Sequence, residues 1–478
     1  MKKYWFLLIG LIILFSSCKK FLDLQPQFQL STASFYKSQG DFETAIVGAY
    51  SELQGLYASP MIYLGELTTD NAYIQWTSPT TSEQELDQML VTPSNNFVGS
   101  AYSTNFQIVM ETDAILDQID GTSLQNSEKE KYKGEAKFLR ALAYFNLVRL
   151  FGEVPIVNVN FKSPSEIQSF DMARKPVDQV YGLIITDLQQ AIEHLQGITN
   201  LSKSRASVGA AKTLLGKVYL TIHKYPEALT ELEDVISSNK YSLQPNYATL
   251  FTNKNDELPE SIFEVKYLSG NIGEGNSFSS LFTPASFNAA IFPNNMNGSG
   301  RILPTKDLIN SYEPDDVRRK LSIMDSLKLL DGSYDKIPYG LKMVDFTVGI
   351  PGDGGINYIP LRYADVLLMY AEALNETSKT SDAFPYINLV RKRADLGEIS
   401  GLSQEELRLA IERERRVEFL EEGHRWFDLI RTGRAISVIN NYYANNGLNF
   451  SVTEYKLLMP IPLREINIDP NMEQNPGY

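Results

Sequence analysis

Residues able to trade protons, attack carbon or hold a metal are few in this 478-residue chain, which has three histidines and one cysteine. His194 and His223 fall at the ends of helical patterns, where the helix dipole favours an imidazolium and a structural role follows. His424 stands in Glu421-Glu422-Gly423-His424-Arg425-Trp426-Phe427-Asp428, a cluster that invites metal or acid–base chemistry. Its spacings are not those of His-Glu-x-x-His, and no second histidine is near. Gly423 reads as a helix C-cap, so the cluster reads as packing, with Arg and Glu ion pairs joining neighbouring helices. Gly352-Asp353-Gly354-Gly355 lacks the remaining ligands of a calcium loop and reads as a turn. Adjacent residues on one loop do not face each other with room for a sugar, so Asp315-Asp316 reads as a helix start before Val317 rather than a glycosidase pair. Neither a Gly-x-Ser-x-Gly elbow nor a phosphate loop occurs. The residues therefore call for no catalytic group, metal or cofactor.

Binding needs other chemistry. Sugars are captured by flat aromatic faces that cover their C–H surfaces, with amides and carboxylates satisfying the hydroxyls. Of three tryptophans, Trp5 lies in the first apolar run and Trp426 in an amphipathic helix, where it reads as core. Trp76 sits in a polar stretch, residues 69–79, beside Tyr73, Asp70, Asn71 and Gln75, and these five are the first candidates for a ligand platform. The same residues also fit a loop packed onto a scaffold, with Asp70-Asn71 capping or turning the chain. Phe278, Phe282, Phe287 and Phe292 are second candidates, each equally readable as core of an irregular lobe.

Lys2-Lys3, an apolar run over 4–15 and Ser16-Ser17-Cys18 have the order of a secretory signal, residues 1–17. The run is too short to span a bilayer, which takes about 20 apolar residues. Cys18 is the only cysteine, which excludes a disulfide framework and leaves the thiol for acylation. Each buried methylene adds about 0.8 kcal/mol of membrane affinity, so lipid on Cys18 would hold the chain at a membrane. The net charge of −14 makes nucleic acid a poor partner.

The elements that must position these residues are mostly helices. After a tether over 18–40, Asp41 can cap a helix with apolar residues at Phe42, Ala45, Ile46, Ala49, Tyr50 and Leu53. Helical patterns return over 128–151, 177–195, 207–223 and 225–238. Leu215-Gly216-x-x-Tyr219 followed by Ala228 and Leu232 matches a tetratricopeptide repeat, as does Tyr370-Ala371-x-x-Leu374 with Ala383 and Ile387. The small residues of the paired helices are twelve positions apart in both. The fold expected is mainly α: a tetratricopeptide-like helical superhelix (41–57, 128–240, 358–440) with an inserted loop-rich lobe (58–127, 241–357) and an extended tail over 441–478. Within the first lobe segment, 105–119 again reads helical; within the second, 261–267 reads as a strand.

Four blocks in this order carry a specific resemblance: 18–23 (CKKFLD), 134–155 (GEAKFLRALAYFNLVRLFGEVP), 361–374 (LRYADVLLMYAEAL) and 414–431 (ERRVEFLEEGHRWFDLIR). With the ending over 460–466 and 475–478, the chain resembles the SusD/RagB family of outer-membrane nutrient-binding lipoproteins over nearly its whole length. The resemblance implies four tetratricopeptide-like helix pairs and an irregular ligand-binding lobe. It also implies a SusC-like TonB-dependent transporter over which the lipoprotein sits as a lid, and binding without catalysis. A glycan is the ligand that Trp76 favours; a peptide is the alternative, and a lipid-anchored hydrolase a third reading that the scarcity of histidine disfavours.

Overall fold

The computed structural model describes residues 35–75, 77, 79–199, 201–286, 289, 291–469 and 471–478. The signal, Cys18, most of the tether, Trp76 and Phe287 lie outside the described residues. The first long helix, α1 (Gln39–Ala58), starts from a capping box: Ser38 accepts from the Asp41 N–H, and the Asp41 carboxylate accepts from the Ser38 N–H. The cap is thus Ser38, three residues before the Asp41 read from sequence.

Ten further helices continue the scaffold: α2 (Asn96–Ile119), α3 (Asn126–Phe151), α4 (Val177–Leu195), α5 (Val208–Thr221) and α6 (Tyr225–Ser237), then α7 (Tyr363–Glu376), α8 (Thr380–Arg393), α9 (Gln404–Glu418), α10 (Arg425–Arg431) and α11 (Ala435–Asn445). From α1 to α8 each helix packs on the next, so the fold is the tetratricopeptide-like helical ribbon that the repeats predict. Every residue of α7 from Ala364 to Asn375 is buried, its polar members Asp365, Glu372 and Asn375 each paired to a neighbouring segment. At Gly216 in α5 a side chain would come within 2.7 Å of Leu232 in α6, so the small residue of the first repeat makes room for Leu232.

One boundary moves. The segment 58–127 was expected in the loop-rich lobe, yet α2 occupies much of it and packs between α1 and α3 in the scaffold. Asn95 caps α2 by accepting from the N–H groups of Phe97 and Val98, and Val98, Ala101, Tyr102, Asn105, Ile108 and Val109 line its buried face. The first turns of α2 carry Gly99, Ser100, Ser103 and Thr104, poor helix formers, which is why only 105–119 reads as helix in the sequence.

Helix α6 packs on α7 although residues 238–362 separate them. The neck of that excursion is an antiparallel pair, β2 (Ser261–Val265) against β4 (Tyr358–Arg362), with Tyr358 opposite Val265 and Leu361 opposite Phe263. A second pair, β1 (Ala72–Tyr73) against β3 (Leu303–Pro304), ties the 69–79 stretch to the excursion.

Buried ion pairs then fasten both loop-rich pieces to the C-terminal helices. Arg362 meets Glu260 at 2.8 Å, Glu418 at 2.6 Å and Glu422 at 2.7 Å. Arg318 meets Asp316, Glu414 and Glu418, and Lys342 meets Glu422. Asp316 also caps the short helix Val317–Ser322, the role its position predicted. Removing one member of such a buried set leaves an uncompensated charge, typically at a cost of about 3–5 kcal/mol.

Candidate functional site

The 69–79 stretch follows a π-helical turn, Tyr63–Leu67, whose Gly65 lies so close to Gly423 that a side chain there would sit 2.3 Å from the Gly423 carbonyl oxygen. Gly423 is left-handed, with φ +71°, but it is not the C-cap read from sequence: α9 is capped at Phe419, and Gly423 lies in the turn that leads into α10. The contact joins the start of the candidate loop to the Glu421–Asp428 cluster. That cluster is packing: Trp426 is fully buried, and Glu422, Arg425 and Asp428 are held in ion pairs with other segments.

Asp70 and Asn71 are almost wholly buried, so they hold the loop rather than face solvent. The Asp70 carboxylate accepts from Arg425 Nε and Nη2, both at 2.9 Å, and pairs with Arg416 at 2.8 Å. Burial pushes the Asp70 carboxyl up, but the two guanidiniums outweigh it and hold the group below its usual range. Asn71 donates to Glu66 and accepts from Arg416 Nε, while its backbone carbonyl accepts from the Thr305 N–H. Apart from Glu66, these partners come from more than 200 residues away, and nothing local in the sequence signals them.

Beyond the anchor, Tyr73 is half-buried beside Leu303, Leu327 and Tyr339, and burial raises its phenol above the usual value. Gln75 makes a two-way clamp: its amide accepts from the Ala285 N–H at 2.8 Å and donates to the Ala285 carbonyl at 3.2 Å. The Gln75 N–H donates to the Gly300 carbonyl at 2.8 Å, where left-handed Gly300 (φ +62°) leaves no room for a side chain against Gln75. The Thr77 N–H returns to the Gln75 carbonyl, and Arg301 donates to the Thr77 carbonyl while pairing with Glu83. Glu83 closes the capping box of the short helix Thr81–Asp87 and accepts from the Tyr63 hydroxyl, whose ring stacks on Phe97 at 4.1 Å. Exposed Thr77 is thereby presented by a loop fixed on both flanks. Tyr442 of α11 lies near this anchor; burial first, then the charges of Asp87, Asp70 and Asp307, push its phenol up.

The phenylalanines sort differently. Phe278 and Phe282 are fully buried, with Phe278 edge-on to Tyr267 at 5.7 Å, so both serve the lobe's core. Phe292 is 5% exposed and stacks on Phe346 at 5.8 Å, whereas Phe346 is 43% exposed. Phe346 was not singled out in the sequence. Its signal is the one that marked Trp76: an aromatic between turn formers, here Asp345, whose carboxylate accepts from Thr347, and Gly349, whose carbonyl accepts from Asn294. Gly354 pairs with Asn276, and the Asp353 carboxylate accepts from the N–H groups of Gly270 and Asn271, a turn as expected.

The geometry defines a class: a helical-repeat scaffold carrying a loop-built surface held by ion pairs at Asp70 and Glu83, with aromatics that supply partly exposed rings. Among the described residues there is no group of three or more His, Cys, Asp or Glu placed to hold a metal, and no helix long and apolar enough to cross a membrane. Comparison with known proteins gives the family. Residues 335–478 match the model described as the SusD family, and residues 20–220 match the one described as starch-binding, associating with outer membrane. SusD-like protein P2 of Formosa agariphila is 30% identical over the full length of both chains. Among solved structures, a laminarin-binding SusD-like protein superposes with a TM-score of 0.79 at 28% identity, covering 93% of this chain and 100% of that one. Surface glycan-binding protein A from Bacteroides fluxus gives a TM-score of 0.79 at 25% identity, over 92% of this chain and 100% of that one. The chain belongs to the SusD family.

Proposed function

We propose that this protein is a non-catalytic surface lipoprotein that binds an oligosaccharide or polysaccharide and passes it to a SusC-like TonB-dependent transporter in the outer membrane. The observation that carries the glycan reading is the clamp at Gln75 and Thr77, which holds the two residues flanking Trp76. A pre-organised aromatic platform loses little freedom when a sugar stacks on it. In this reading Trp76 and Tyr73 supply ring faces and Phe346 extends the surface. Gln75, Asp70 and Asn71 hold the platform in place, and Phe278, Phe282 and Phe292 support the lobe beneath it. Of the carboxylates near the loop, Asp70 and Glu83 are committed to arginines, while Asp87 is held by the Ile74 N–H.

Lipid on Cys18 anchors the chain, and the helical ribbon offers the transporter a broad rigid face. The name of the laminarin-binding relative makes β-glucan the first ligand to test. Calorimetry of the purified chain against laminarin, other neutral polysaccharides and a set of peptides separates the cargo readings. Binding to a glycan that Trp76→Ala weakens supports the proposal. Binding to peptides alone, or to no member of the panel, removes the glycan part; co-purification from native membranes without a transporter removes the partner.

A further inference from the structure

Where α3, α5 and α10 meet, the interior holds a cavity of about 50 Å³. At one probe sphere of roughly 10–15 Å³ per water, that is room for about three or four waters or one compact ion, and too little for a sugar ring. Arg149 reaches into it from α3. Its guanidinium is sandwiched between two rings, 3.9 Å from the centroid of Phe145 and 4.1 Å from that of Phe427. Its Nε donates to the Phe145 carbonyl at 3.0 Å and Nη2 to the Asn146 amide oxygen at 2.8 Å. Among the described residues no carboxylate pairs with it.

The charges around the same cavity are otherwise matched. Lys217 and Arg415 share Asp365, at 2.9 and 2.8 Å; Arg415 and Arg431 share Asp428, each at 2.9 Å; and Arg431 also holds Glu372. Four cations thus face three carboxylates, and Arg149 is the one left over. Glu422, which also lines the cavity, is committed to Lys342 and Arg362. His424 adds no charge: burial keeps its imidazole well below the usual range, and its ring lies flat on Phe419 at 4.6 Å. Burial likewise draws the Arg149 guanidinium down to about 10, only partly offset by groups beyond ion-pair distance, Asp428 among them.

We infer that this cavity is a binding site for a free, compact monovalent anion, a halide or a small carboxylate such as formate, with Arg149 as its charge partner. The aromatic sandwich leaves the edge of the guanidinium as the direction from which an anion is met. Phosphate and sulfate carry a second charge that the single unmatched cation does not balance. An anion here would join α3 to α10 at the point where the candidate loop's anchor, Arg425, begins.

The experiment uses the full lipidated chain in detergent, exchanged into sodium gluconate, with chloride, bromide, formate or sulfate replacing gluconate at constant ionic strength. The expected result is a saturable rise in melting temperature with chloride, bromide and formate, about 3 °C at a hundredfold excess over Kd, and little with sulfate. Arg149→Met should melt at the same temperature in every anion. Crystals of the unaltered protein soaked in bromide should show an anomalous peak beside the Arg149 guanidinium, a readout that does not depend on the variant folding. A response without saturation, the same response in Arg149→Met, or no bromide peak at that site would overturn the inference.

Discussion

Glu421 is a buried carboxylate whose two oxygens have no hydrogen-bond partner among the described side-chain contacts, on a residue with φ +66°. Burial pushes its carboxyl up to about 8 from 4.5, and nearby Glu66 is pushed up by burial to about 7. The perturbation is Glu421→Gln, which keeps shape and removes the ionisable proton. The sign follows from linkage. The folded pKa is raised, so the stability present below the unfolded value near 4.5 is lost as pH rises through the folded value near 8. Each pH unit in that window is worth about 1.4 kcal/mol, so moving from pH 5 to pH 8 costs the native chain on the order of 3–4 kcal/mol through this group. For a chain of this size about 1 kcal/mol corresponds to about 1 °C in Tm. Differential scanning fluorimetry at pH 5 and pH 8 is the assay. At pH 5 Glu421 is neutral and the variant should melt within about 1 °C of the parent; at pH 8 it should melt about 3 °C higher. Equal effects at the two pH values, or a variant less stable at pH 8, would refute the argument that an uncompensated charge sits there.

Gly65→Ala drives a methyl into the Gly423 backbone at 2.3 Å, where neither chain can yield, and should lower Tm by several degrees; an unchanged melting curve would contradict that packing. Asp70→Ala strands Arg425 and Arg416 and should cost about 3–5 kcal/mol in urea unfolding, whereas Trp76→Ala should leave the melting point alone and weaken glycan binding about tenfold or more by calorimetry. If both variants lost binding only in proportion to stability, Trp76 would have no ligand role. Cys18→Ser should abolish incorporation of labelled palmitate and move the protein from the membrane to the soluble fraction, as followed by blotting after fractionation.

Much of the scaffold was legible because helices announce themselves locally. The alternation of apolar residues along α1 and the Gly216 and Ala371 repeats needed only near neighbours to be read. Helix α2 was half-hidden because its first turns hold Gly99, Ser100, Ser103 and Thr104, and its place in the scaffold rests on distant partners such as Arg140 of α3, 2.6 Å from Asp113. At the candidate site, residue types marked the right stretch but not each residue's task. Asp70 and Asn71 look like sugar-binding polar groups until Arg416 and Arg425, some 345 residues away, are seen to consume them. Phe346 was passed over because exposure cannot be read from a Gly- and Asp-punctuated segment.

By itself the sequence determined the mainly helical repeat scaffold and the scarcity of catalytic side chains. These depend on periodicity and composition, which act over a few turns of chain. The tertiary structure alone decided which polar residues are anchors and which rings reach solvent. It also placed Arg149, part-buried, without a carboxylate partner and Glu421 in the interior without a hydrogen-bond partner. Those outcomes depend on which distant groups are buried together, and desolvation, the force that sets their cost, acts only once the chain has closed around them.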